Sequence, residues 1–143
     1  MKEICSEFEK NANSKGYKIK KKFNSKAFNY VDFFLEGLEN GKPKSLKVFF
    51  KKKSKNKKFI WIEIKNNKGQ PGWIFGDSDI VIFETHKSYI LIDRKKIINF
   101  YMNHSYAENL KQFPKTIESK NKEKLSSISI SKLKKISIAN WEK

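Results

Sequence analysis

Apolar and polar residues alternate in three consecutive segments of the first half of the chain. The segments are NYVDFFLEGLE (29–39), SLKVFFKKK (45–53) and FIWIEIKN (59–66). Because successive side chains of a strand point to opposite faces, each segment predicts a β-strand with one apolar face. We expect the apolar residues to form the packed side of one antiparallel meander; they are Val31, Phe33, Leu35, Leu46, Val48, Phe50, Ile60, Ile62 and Ile64.

The dipeptide Asn40-Gly41 separates the first two segments and is typical of a two-residue hairpin turn. With that turn, Glu36 lies directly opposite Ser45 on the neighbouring strand. The hairpin therefore places a carboxylate beside a serine on the polar face.

The rest of the chain predicts two further strands and flanking helices. SDIVIFE (78–84) and SYILIDR (88–94) are strand-like, whereas 2–15 and the segment beginning at Lys95 have helical spacing. ISKLKKISIANW (130–141) fits either an amphipathic helix or a docked strand. We expect an α/β fold, a mixed five-stranded sheet with an N-terminal antiparallel meander flanked by helices. Residues 1–114 would form this domain and 115–143 a Lys-, Ser- and Ile-rich extension.

The composition describes a folded and strongly basic protein. Aromatic residues make up 14% of the 143 residues, and the formal net charge is +17. Such a charge attracts polyanions, although an AT-rich genome also enriches Lys, Asn and Ile without selection for binding. Arg94 is the only arginine, which argues against base reading by Arg–guanine pairs and favours contact of lysines with phosphates.

Several classes of site are disfavoured. Cys5 is the single cysteine and His86 and His104 are far apart, so the sequence predicts no disulfide and no zinc site. No apolar run reaches the about 18 residues of a membrane span, and MKEICSEFEK is too charged for a signal peptide. We expect an intracellular, cytoplasmic protein without a membrane partner.

The order of these elements resembles the PD-(D/E)XK nuclease superfamily, whose fold is called restriction-endonuclease-like. The resemblance covers roughly residues 1–105 and is carried by VDF with Asp32, a lysine in the second strand, IEIK with Glu63, and the GW and SDIVIFE segments. It implies a DNA endonuclease that uses Mg²⁺, or Mn²⁺, to hydrolyse phosphodiesters. Carboxylates are the oxygen ligands that Mg²⁺ prefers, and a lysine would position the water or stabilise the transition state.

Two placements of the nuclease site are open. In the first, Asp32 and Glu63 hold the metal and Lys65 assists, but an intervening strand would separate the two carboxylates by about 10 Å. In the second, the acid-x-lysine pair falls at Ser45 and Lys47, where a serine stands in place of the acid. We hypothesise that Glu36 supplies the missing carboxylate. Asp32 could equally be an ordinary strand residue, and Glu63 with Lys65 a solvated ion pair.

Lysines and tryptophans are the candidate contacts to nucleic acid. A lysine run follows the second strand, and aromatic rings interleaved with lysines are typical of single-strand binding, although a tryptophan can equally be buried. The predicted contacts are Lys51, Lys52, Lys53, Lys55, Lys57, Lys58, Lys68 and Trp73, with Trp61 as a further candidate for stacking.

Three functions remain open from the sequence. The first is the Mg²⁺-dependent endonuclease, acting on DNA rather than RNA and plausibly as a homodimer. The second is a nucleic-acid-binding module on the same fold whose site has decayed, which Ser45 favours. The third is an interaction or inhibitor protein of a phage or mobile element that binds an acidic protein.

Overall fold

The computed structural model describes residues 6–23, 29–55, 58–105, 116–118 and 124–143. Within these ranges the chain forms three α-helices, one short 3-10 helix (Trp73–Phe75) and nine strands. The helices are α1 (Ser6–Ser14), α2 (Arg94–Ser105) and α3 (Ile130–Ile136). The strands are β1 (Lys18–Lys20), β2 (Phe33–Glu39), β3 (Lys42–Lys51), β4 (Phe59–Lys65), β5 (Ile80–Glu84), β6 (Ser88–Asp93), β7 (Thr116–Glu118), β8 (Lys124–Ser129) and β9 (Ala139–Glu142).

The main sheet has six strands in the order β1-β2-β3-β5-β6-β9. Neighbours are antiparallel except β3 and β5, which run parallel. The predicted mixed α/β architecture is thus confirmed, but the predicted count of five strands is wrong. The short strands β1 and β9 form the two edges of this sheet. Strand β4, which was predicted to belong to it, does not.

The third predicted strand lies in a second sheet, of order β4-β8-β7. The expectation of one continuous meander is therefore wrong. Phe33, Leu35, Val48 and Phe50 pack together on one face of the main sheet, whereas Ile62 and Ile64 pack in a different core. Alternation showed correctly that β4 has an apolar face, but it carries no information about which sheet that face covers.

The hairpin between β2 and β3 forms as predicted. Asn40 and Gly41 both have positive φ, +52° and +77°, as a type I′ turn requires. Glu36 is the register partner of Ser45. The prediction of this pair is confirmed.

Two apolar cores lie on opposite faces of the main sheet. On one face, Phe8 and Ala12 of α1 cover the inward residues of β2, β3 and β5. On the other, Phe49, Val81 and Phe83 pack against the second sheet, α2 and α3. Every residue of β5 is buried, because this strand lies between covered faces on both sides.

The described part of 115–143 is integrated with the rest of the fold. Strand β8 pairs with β4, and β9 pairs with β6. Leu133 of α3 is fully buried in the core between the sheets. The segment ISKLKKISIANW, which fitted a helix or a strand, contains both, since α3 is followed directly by β9.

Candidate functional site

Asp32, the first predicted metal ligand, lies in the interior. It is 1% exposed, and its Oδ2 atom accepts a hydrogen bond of 2.7 Å from the backbone N–H of Phe50. Its own N–H donates to the carbonyl of Val48 at 2.7 Å. Alternation along the segment 29–39 puts Asp32 on the same side of the strand as Glu36, but the structure buries the carboxylate of Asp32. The carboxylate fastens the segment before β2 to the neighbouring strand β3.

Glu63 and Lys65 lie on β4, in the sheet that does not contain β2 or β3. Glu63 is half-buried, and its Oε1 atom accepts a hydrogen bond of 3.1 Å from the hydroxyl of Tyr30. Burial raises the pKa of Tyr30, and the nearby carboxylate of Glu63 raises it further because the phenolate would be repelled. Lys65 is exposed, and the pairing of β4 with β8 shifts register between Glu63 and Lys65.

Glu36 and Lys47 are on the face of the main sheet opposite to α1. Glu36 is half-buried opposite the exposed Ser45, and Lys47 lies opposite Phe34. The backbone of Lys47 is fixed by Asp79, whose Oδ2 accepts its N–H at 2.8 Å. The hairpin thus brings a carboxylate to the serine, as we hypothesised.

The predicted magnesium ligands lie in different surroundings. Asp32 faces a backbone N–H in the interior, and Glu63 comes from the other sheet and accepts from Tyr30. Among the residues that the structure describes, no three His, Cys, Asp or Glu side chains lie close enough together to hold a metal ion. We derive no catalytic step through a metal from these residues.

A different feature brings the predicted lysines together. A cleft of about 420 Å³ opens between the end of β3, the β5–β6 turn, strand β4 and helix α3. Three lining residues, Lys51, Lys52 and Lys53, belong to the predicted contacts. The full lining consists of Lys51, Lys52, Lys53, Ser54, Ile60, Trp61, Glu84, Thr85, His86, Lys87, Ile130 and Lys134.

Local hydrogen bonds place the residues at the cleft rim. Thr85 Oγ1 accepts the N–H groups of Lys87 and Ser88 at 3.2 and 2.9 Å, which closes a tight turn and leaves His86 and Lys87 exposed. Ser129 caps α3 by accepting the N–H of Lys132 at 3.1 Å. Lys134 then lies in the last turn of that helix.

The lining of the cleft carries a net positive charge, and its carboxylate is paired with Lys143. Its lining contains five lysines and one acidic residue, Glu84. Glu84 Oε2 accepts from Lys143 Nζ at 2.9 Å, in an ion pair whose side chains are only 8% and 15% exposed. Oε1 accepts the backbone N–H of Lys53 at 3.2 Å. Burial acts to raise the pKa of Glu84, but the bonds from Lys143 and Lys53 outweigh it and the pKa is lowered.

The remaining predicted contacts divide between surface and core. Lys55, Lys58 and Lys68 are exposed but do not line the cleft, and Lys57 lies outside the described residues. Trp73 is 2% exposed and packs against Phe49, with ring centroids 5.3 Å apart. This corrects the prediction that its ring lies on the surface for stacking.

Trp61, by contrast, lines the cleft. Sequence reasoning missed Thr85, His86, Lys87, Ile130 and Lys134, which reach the cleft from two distant segments. In the local sequence, Lys87 and Lys134 are two lysines among many. No sequence signal distinguished them from lysines elsewhere on the surface.

Comparisons of the chain with known protein families, with curated proteins and with solved structures found no match. None of the helices in the described ranges has the length and apolar character needed to cross a membrane.

Proposed function

We propose that this protein binds nucleic acid, and that the cleft is where it holds the phosphate backbone. The observation that carries the proposal is the convergence of five lysines on one recess whose single carboxylate is neutralised by Lys143. Lysine ammonium groups that approach phosphates release condensed counterions, which provides sequence-independent affinity. The scarcity of arginine fits the same mode, since lysine acts on phosphate as a point charge.

The test measures how binding of a labelled oligonucleotide depends on salt. The variant Lys87→Gln/Lys134→Gln removes two charges from the cleft. The matched control Lys42→Gln/Lys95→Gln removes two exposed charges from the opposite end of the main sheet, since Lys42 begins β3 and Lys95 follows the end of β6.

We expect the cleft variant to bind more weakly and to have a shallower salt dependence. The slope of log K against log salt concentration should fall in magnitude by about 1.4–1.8, because each phosphate contact contributes about 0.7 to 0.9. The control should keep the wild-type slope. Equal effects of the two variants would show that the affinity comes from overall charge rather than from the cleft.

A competition experiment distinguishes nucleic acid from an acidic protein as the partner. Bulk DNA should compete with the labelled oligonucleotide for the cleft. A protein partner of high affinity would instead remain bound in excess DNA, and its capture would favour the interaction-protein function.

The second candidate is the endonuclease, and the observation that favours it is the register of Glu36 with Ser45, two residue pairs from Lys47. Both this activity and the restriction-endonuclease-like fold remain predictions. The check is plasmid cleavage in Mg²⁺ and Mn²⁺, beside a gel shift in EDTA. Cleavage that is lost in Glu36→Gln would support the enzyme, whereas binding that is unaffected by EDTA and leaves the plasmid intact would support the binding module.

A further inference from the structure

The cleft has an apolar wall as well as a basic rim. Ile60, Trp61 and Ile130 line it on the side of the second sheet and α3, across from the lysines of β3 and the β5–β6 turn. A purely electrostatic surface for a duplex backbone does not need an apolar recess. The wall therefore indicates a ligand that carries both negative charge and a flat apolar surface.

Trp61 is the aromatic residue of this wall. It lies on β4 and is half-buried, and its register partner on β8 is Ser127. A serine shields less of an indole than a larger cross-strand partner would, and Ser127 itself is 2% exposed. Phe59 contacts the indole in a T-shaped arrangement, with centroids 5.5 Å apart and planes at 89°, which holds the ring orientation.

The volume and lining of the recess are compatible with a ligand as small as one nucleotide unit. About 420 Å³ is within the range of pockets for small ligands. Lysines reach the recess from several sides, from the end of β3, from the β5–β6 turn and from α3. A strand crossing the cleft could place phosphates on these lysines while one base enters toward Trp61.

We infer that the cleft binds single-stranded nucleic acid, with one unstacked base lying against Trp61 and the adjoining phosphates on the lysines. This inference rests on the proposed nucleic-acid binding and names its substrate class. In a duplex both faces of each base are covered by stacking, so a base would have to be extruded before it could reach the indole. A single strand presents its bases at a much smaller energetic cost, and every base has a face that can stack on an aromatic ring.

The test compares four probes of equal length on the wild-type protein. They are a single strand, the corresponding duplex, a single strand whose sugars carry no bases, and inorganic polyphosphate. We expect the single strand to bind about tenfold or more tightly than the base-free strand, as expected for one base–aromatic stack. The duplex and polyphosphate should bind with the affinity of charge contacts alone.

Variants then assign this preference to one ring. Trp61→Leu should lose about tenfold in affinity for the single strand and keep the wild-type affinity for the base-free strand and the wild-type salt slope. Trp61→Phe should restore much of the loss. Phe75→Leu is the matched control, because Phe75 is an aromatic residue 40% exposed that does not line the cleft.

The outcomes distinguish this inference from the proposed function. Equal affinity of the wild-type protein for the normal, base-free and duplex probes, with loss in Lys87→Gln/Lys134→Gln, would overturn single-strand binding and leave phosphate binding intact. Failure of every nucleic-acid probe to bind would overturn both. The probe comparison needs no substitution, so it decides the question even if Trp61→Leu does not fold.

Discussion

Substitution of Asp32 distinguishes most sharply between a structural and a chemical role for that residue. The carboxylate is 1% exposed and accepts the N–H of Phe50 over 2.7 Å. Phe50 is itself 0% exposed, so water does not replace the carboxylate as the acceptor. In Asp32→Ala the structure therefore loses a charge-assisted hydrogen bond within the interior.

The expected magnitude follows from the hydrogen bond between Asp32 and Phe50. Hydrogen bonds to charged groups contribute about 1.5–3 kcal/mol to stability, and a buried group left without a partner costs a similar amount. We expect Asp32→Ala to lower the free energy of unfolding by about 2 kcal/mol. For a chain of this size the melting temperature should fall by about 5–8 °C. Asp32→Asn keeps an acceptor oxygen but not the charge, so it should lower the free energy of unfolding by about half as much.

The assay is urea unfolding followed by tryptophan fluorescence, together with oligonucleotide binding at a temperature where both proteins are folded. Asp77→Ala is the control, because Asp77 is an exposed aspartate and should change stability by less than about 0.5 kcal/mol. Affinity for the oligonucleotide should be unchanged in Asp32→Ala. Wild-type stability of Asp32→Ala combined with loss of a metal-dependent activity would refute the structural role and make Asp32 a catalytic residue.

Three further predictions concern residues around the two sheets. Gly72→Ala should destabilise the fold by about 1–3 kcal/mol in urea unfolding, since its Cβ would overlap the backbone carbonyl oxygen of Glu63; wild-type stability would contradict that packing. Lys143→Met should lower stability at pH 7 by about 1–3 kcal/mol. Because the folded-state pKa of Glu84 is lowered from 4.5, this difference should be fully present above that pH and shrink as the pH falls through the folded-state pKa; a pH-independent difference would exclude the ion pair as its source. Burial and Glu63 raise the pKa of Tyr30 above 10.0, so in an ultraviolet titration Glu63→Gln should shift the ionisation of Tyr30 to lower pH than in the wild-type protein; an unchanged titration curve would exclude the effect of Glu63.

The local pattern of the chain determined its strands and one register. Strands β2 to β6 lie where alternation or a continuous apolar run predicted them, because the two-residue periodicity of a strand is written directly into the sequence. Asn40 and Gly41 have the positive φ values that the turn needs. Because a two-residue turn sets the register of the hairpin, it also pairs Glu36 with Ser45.

The assignment of strands to sheets depends on contacts between distant segments, and the alternation of apolar and polar residues within one segment does not reveal them. The apolar face of β4 can cover any complementary apolar surface, and its partner β8 lies about sixty residues further along the chain. A prediction made from consecutive segments placed β4 next to β3. In that order β3 would separate Asp32 from Glu63 by about 10 Å on one face of a single sheet, whereas Glu63 lies in the second sheet.

The candidate site shows the same division. Composition and the lysine run indicated a polyanion as partner, and Lys51 to Lys53 do line the cleft. The cleft itself exists because the β5–β6 turn and α3 meet the end of β3, and the ion pair of Glu84 with Lys143 spans 59 residues. Periodicity acts over a few residues, whereas these contacts form only when both sheets pack. The sequence alone determined the charge and the strands, and the tertiary structure decided where that charge converges.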